Sequence, residues 1–218
     1  MAEVKGSERT YSSPLRAQQA ATTRQAVLDA ARELFIAQGY GATTIDQIAA
    51  RAGVSKPTVF AAVGNKQTLL STVRDVAMAG DDQKVPVVER PLAQRIRAEP
   101  DQRRAVELLA ELFTGIDSRY AEIDAVLRGA AHGGEPGLRE LWETSEQQRL
   151  IGARIWLNTL AEKGPLRAGL DVDDAVDALW LYMAPDLFHR LVHHRGWSQE
   201  HFQSWLTDTL RRLLLPDD

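Results

Sequence analysis

Residues 43–70, TTIDQIAARAGVSKPTVFAAVGNKQTLL, are punctuated so closely by helix starts and stops that they decide the fold. Thr44-Ile45-Asp46-Gln47 is a capping box, with Gln47 placed to reach back to the cap and open a short helix. Gly53 takes the left-handed turn that would strain other residues and ends that helix. Ser55 caps the next one, and Pro57 lies in its first turn, where a missing N–H costs little. Gly64 closes it and Asn65 caps a further helix. Ala49 is small where two helices would cross closely, and Ile48, Ala52, Val54 and Val59 supply apolar contacts to fix the crossing. Two short helices around a tight Gly-containing turn can set one in a DNA major groove while the other braces it. An ordinary helical hairpin has the same spacing, and spacing alone leaves both readings open.

Upstream, Ala26, Val27, Ala30, Ala31, Leu34 and Phe35 recur three and four apart, predicting a helix from Thr22 to Gln38 that Gly39 stops. Downstream, Leu69, Leu70, Val73 and Ala77 make one face of a helix from Lys66 to Ala79. Gly80-Asp81-Asp82 and KVPVVERP, with prolines 86 and 91, then read as a linker and domain boundary. Beyond it, Val106, Leu109, Phe113, Ile116, Tyr120, Ile123 and Leu127 run along one helix of about 25 residues. HGGEPG breaks the pattern at 132–137, and a helix from Leu138 to Lys163 comes next. Asp171 caps another, which Pro185 should kink or split, and Ser198 caps the last, which Pro216 ends. The fold class is all-α: an N-terminal three-helix head and a larger C-terminal helical domain. The segments are an arm at 1–21, the head at 22–65, a connecting helix at 66–80 and the body at 92–215.

The 218 residues contain no cysteine, which excludes disulfides, thiolate zinc sites and cysteine redox chemistry. No apolar run is long enough to span a membrane, the first 20 residues lack a secretory core, and a cytoplasmic location is expected. The net charge of −4 is uneven: residues 1–66 carry a balance of +3 and the remainder −7. Such asymmetry points the N-terminal segment at phosphates and the body away from them. No phosphate-binding glycine loop, nucleophile elbow or metalloprotease helix is present, so neither an enzyme nor a cofactor is expected. His189 and His193 lie four apart without a third ligand at recognisable spacing, and no metal site is assigned to them.

The run from Arg24 to Leu70 resembles the DNA-binding domain of TetR-type regulators. The resemblance implies a dimeric repressor that a small-molecule effector releases from a palindromic double-stranded DNA operator. It places Lys56, Pro57, Thr58, Val59 and Phe60 on the recognition helix, with Arg24, Thr44 and Lys66 near phosphates at helix N-termini. Lys56 can donate to guanine, and the Thr58 methyl can touch thymine. Where the family pattern has Tyr, one variable residue, His and Phe, this chain has Phe60-Ala61-Ala62-Val63, so two usual phosphate donors are missing. Lys5, Arg9 and Arg16 of the arm are candidates to compensate from a minor groove.

In the body, a ligand pocket between the long helices is expected to use Phe113, Tyr120, Trp142, Trp156, Trp180 and Met183. Arg119, Asn158 and His189 are its candidate polar partners. The homodimer interface is expected on the last two helices, through Leu179, Leu187, Leu191, Trp205, Leu206, Leu210 and Leu213. An enzyme, or a non-DNA adaptor built on a degenerate head, is the competing reading.

Overall fold

The computed structural model describes residues 14–217, which form ten α-helices and no strand. Helix α1 (Pro14–Ala42) is interrupted at Gly39, whose φ of 79° and ψ of 169° break the helical ladder. It begins earlier than the expected Thr22. Ala17, Gln18, Gln19, Ala20 and Ala21 are good helix formers with no stop signal, so the helix propagates back through residues expected in the arm. Lys5 and Arg9 lie outside the described residues.

Helices α2 (Ile45–Ala52) and α3 (Lys56–Ala62) carry the expected caps. Thr44 Oγ1 accepts the Gln47 backbone N–H at 3.2 Å, and Gln47 Oε1 accepts that of Thr44 at 2.8 Å. At the other end Gly53 has φ 68°, and its N–H and that of Val54 satisfy the last carbonyls of α2. Asn65 Oδ1 accepts the Thr68 N–H and starts α4 (Lys66–Ala79).

The expected linker is only partly one. A 3₁₀ turn at Val87–Glu89 leads into α5 (Pro91–Ala98), which the sequence reading missed. Pro91 sits in its first turn, where it initiates a helix rather than breaking one, and Ala93 and Ile96 bury its inner face. Helices α6 (Gln102–His132) and α7 (Leu138–Ala161) form the long central pair. Pro185 splits the next helical segment into α8 (Val172–Tyr182) and α9 (Pro185–Phe188), and the chain continues in wide π-type turns over His189–His194. Helix α10 (Gln199–Leu214) closes the fold.

Two apolar cores result. The head core gathers Val27, Ala31 and Phe35 of α1, Ile48 and Ala49 of α2, Val59 of α3, and Leu69, Leu70 and Val73 of α4. It does not end at the head, because Tyr120, Ile123 and Leu127 of α6 and Leu138 at the start of α7 belong to it as well. The body core is built on the first half of α6, with α5, α7, α8, α9 and α10 around it. Ile116 of α6 packs against both. Helix α6 is thus one rigid rod with each end embedded in a different core.

Candidate nucleic-acid interface and internal cavity

The crossing of α2 and α3 is fixed from beneath. Ile48 and Val59 are fully buried and Ala49 nearly so, and all three face α1 and α4 within the head core. Val59, expected at the DNA face, is therefore part of the scaffold: its position on α3 points inward, and its methyls anchor the helix. Lys56, Pro57, Phe60 and Ala61 form the outward face of α3, with Phe60 47% exposed. Thr58 is half-buried, its hydroxyl 2.7 Å from that of Ser55. Thr44 is exposed at the start of α2.

The cations of the head differ in how firmly they are held. Lys56 Nζ reaches Asp46 at 3.0 Å across the front of the motif, and both side chains are at least half exposed. An exposed pair of this kind contributes about 0–1 kcal/mol, so a phosphate can exchange for the carboxylate at little cost. Arg51 pairs with Glu33 at 2.5 Å, also exposed. Lys66, expected at a phosphate, instead donates to the Tyr40 and Thr43 carbonyls at 3.0 and 3.1 Å and lies 4.1 Å above the Tyr40 ring. The kink at Gly39 frees carbonyls at the end of α1, and a half-buried ammonium satisfies them. Arg24 is engaged too: it pairs with Asp82 at 2.6 Å and donates to the Ala62 carbonyl at 2.7 Å, and the Asp82 hydrogen bond raises its pKa. Its guanidinium ties the end of α3 to the segment after α4. Arg16, on the exposed first turns of α1, has no partner among the described residues.

At the seam between the two cores lies a cavity of about 170 Å³, bordered by α4, α6, α7, the turn at Val87–Glu89 and the α8–α9 junction at Met183 and Pro185. Its walls are mostly apolar. Four of the nine residues proposed for a ligand line it: Phe113, Tyr120, Trp156 and Met183. The other five face elsewhere. Arg119 turns towards α4 and donates to the Ala77 carbonyl at 3.1 Å. Trp142 packs edge-on against His132, and Asn158 is exposed. Trp180 lies under the Arg149 guanidinium at 4.9 Å, and His189 borders a separate open cleft near Tyr40. These residues share helical spacing with the lining set but lie on other faces of their helices.

The sequence reading missed the acids of this cavity. Asp117 and Asp124, each about one turn from Tyr120 on α6, are both buried and both line it. The Tyr120 hydroxyl donates to Asp124 at 3.1 Å. Asp117 Oδ2 has no hydrogen-bond partner among the described residues. Burial, reinforced by the neighbouring Asp124 charge, pushes the Asp117 carboxyl well above the usual carboxylate range. Burial likewise raises Asp124, against the opposing pull of Arg128 and the Tyr120 hydrogen bond. Their signal in the sequence was present: acids at 117 and 124 sit seven apart, on the same side of α6 as the apolar stripe.

The expected dimer residues divide as well. Leu179, Leu206 and Leu210 are fully buried inside one subunit, because α8 and α10 turn those faces onto α6 and α7. Leu187, Leu191, Trp205 and Leu213 are half-buried against the same core. The apolar side chains exposed on the paired helices α7 and α8 are Ile151, Ile155, Val172 and Leu181. His189, His193 and His194 cluster through their rings, and no group of three metal-ligating side chains gathers among the described residues. No helix among those residues is long and apolar enough to cross a membrane.

Residues 27–73 match the family model for bacterial regulatory proteins of the tetR family. The chain is 28% identical to YdeS, an uncharacterized HTH-type transcriptional regulator of Bacillus subtilis, over 78% of each sequence. Over 57 residues it is 44% identical to the HTH-type transcriptional regulator SrpR of Pseudomonas putida, covering 26% of this chain and 27% of SrpR. Its fold is similar to the crystal structure of NalD of Pseudomonas aeruginosa, the secondary repressor of the MexAB-OprM multidrug efflux pump. The TM-score is 0.66 at 20% identity, with 91% of this chain and 98% of NalD covered.

Proposed function

We infer that this chain is a DNA-binding transcriptional regulator of the TetR family, a repressor that a small-molecule effector releases from its operator. The observation that carries the reading is the position of the cavity. Met78 of α4 and Tyr120 of α6 line it, and both also pack in or against the core that holds the helix-turn-helix. A molecule that fills the cavity and moves α4 relative to α6 moves the head. Such a ligand shifts a two-state equilibrium by the difference in its affinity for the two arrangements.

On the DNA side, the recognition face is Lys56, Pro57, Thr58 and Phe60, with Thr44 and Arg16 positioned for phosphates. A single seven-residue helix reads few base pairs, so the active form is a homodimer on a palindrome. Ile151, Ile155 and Leu181 are the apolar surface we assign to the second copy, in place of the buried leucines. The protein acts in the cytoplasm, where its operator is.

The test is footprinting on DNA flanking its own gene, with binding measured against salt. A protected palindrome is expected. Lys56→Ala should lower affinity across sequences and reduce the salt slope by about one. No protected site at low salt, with the protein folded, would overturn the reading.

A further inference from the structure

The cavity walls are mostly apolar; their charged groups are Asp117, Asp124, Glu146 and Arg149, which leaves an excess of carboxylate over cation. Asp117 is 2% exposed and Asp124 5%, yet Asp117 Oδ2 has no hydrogen-bond partner among the described residues. Arg149 and Arg119 pull on the Asp117 carboxyl through space, but no arginine forms an ion pair or hydrogen bond with it among the described residues. Arg149, which lines the cavity, pairs with Glu146 and stacks on Trp180. Arg128 pairs with Asp186 at 2.7 Å, Arg74 pairs with Asp75 at 2.7 Å, and Arg119 donates to the Ala77 carbonyl. An unsatisfied buried carboxyl costs stability, and nothing in the packing of the subunit uses this one.

We propose that the cavity is a site for a small aromatic or alkyl ammonium ion, with Asp117 as its counter-ion and Asp124 as the second carboxylate. Phe113, Tyr120 and Trp156 provide aromatic surface on which a quaternary or protonated amine rests well. The volume of about 170 Å³ is close to that of a cavity known to hold benzene, so the ligand is about one ring with its charged head. The inference rests on the cavity being the effector site and adds the chemical class of the effector.

Calorimetry of the full chain with benzyltrimethylammonium and with its uncharged isostere neopentylbenzene tests it, with DNA release measured in parallel. The cation should bind more tightly than the isostere. Asp117→Asn should weaken the cation by roughly thirtyfold or more and leave the isostere unchanged. Asp124→Asn, whose carboxylate already holds the Tyr120 hydroxyl, should lose less. Equal binding of both compounds, or a cation affinity indifferent to Asp117→Asn in a folded variant, would overturn the cation class while leaving the effector cavity standing. Failure of both compounds to bind would overturn the cavity as effector site and the inference with it.

Discussion

The head and the body solve the same problem, burying helices against α6, with opposite treatment of polar groups. In the head nearly every polar side chain that is not solvated has a partner: Thr43 bonds back to the Gly39 carbonyl, Lys66 crowns the end of α1, and three caps are satisfied. In the body four buried side-chain polar atoms lack partners among the described residues, those of Thr114, Asp117, Trp180 and Arg211. Two of the four, Thr114 and Asp117, belong to neighbouring turns of α6, and Asp117 lines the cavity. A surface that must present one geometry to DNA gains from over-determination, because a shift of the recognition helix costs contacts. A region that must respond to a ligand gains from groups left unpaired until the ligand arrives.

The contrast can be broken most severely at Ile48. Ile48→Ala opens space where α2, α3 and α1 meet and should destabilise the protein by about 2–5 kcal/mol, read by chemical denaturation. If DNA binding survives with that loss, the head is less over-determined than its packing implies. Next comes Lys66→Met, which keeps the stem and removes the donors to two carbonyls. It should cost about 1–3 kcal/mol of stability and leave the salt slope of DNA binding unchanged. A reduced slope would instead return Lys66 to the phosphates.

The smallest effect has the opposite sign. Asp117→Asn should stabilise the ligand-free protein at neutral pH by about 1 kcal/mol. Because the folded-state pKa of Asp117 is raised, the wild-type protein loses stability as pH climbs from the ordinary carboxylate range through that value. The advantage of Asn should therefore be absent in acid and open as pH increases, as read in paired thermal melts. A stabilisation independent of pH would mean that shape rather than charge is at issue.

Most of the head was legible in the sequence because its signals are local. A capping box, a left-handed glycine, and serine and asparagine caps act within four residues of themselves, and they set the starts of α2, α3 and α4 and the ends of α2 and α4. What misled was proline at 91, since proline opens a helix or ends one according to the residues on its C-terminal side. Of the six aromatic and methionine residues named for a ligand pocket, four border the cavity and two do not. Helical spacing gives a stripe, but which edge of the stripe borders empty space depends on the neighbouring helices.

By itself, then, the sequence determined where the helices of the head start and stop, that two short ones flank a tight glycine turn, and that the positive charge lies towards the N-terminus. Those properties depend on backbone groups and neighbours a few positions apart. Only the tertiary structure decided which cations remain available, that Val59 and three of the dimer leucines face inward, and that two aspartates meet in an apolar cavity between the cores. Those outcomes depend on residues far apart in the chain, as when Lys66 finds Tyr40 or Glu107 finds Arg211. A charge in the sequence has a fixed sign, but its free energy is set by what folding brings against it.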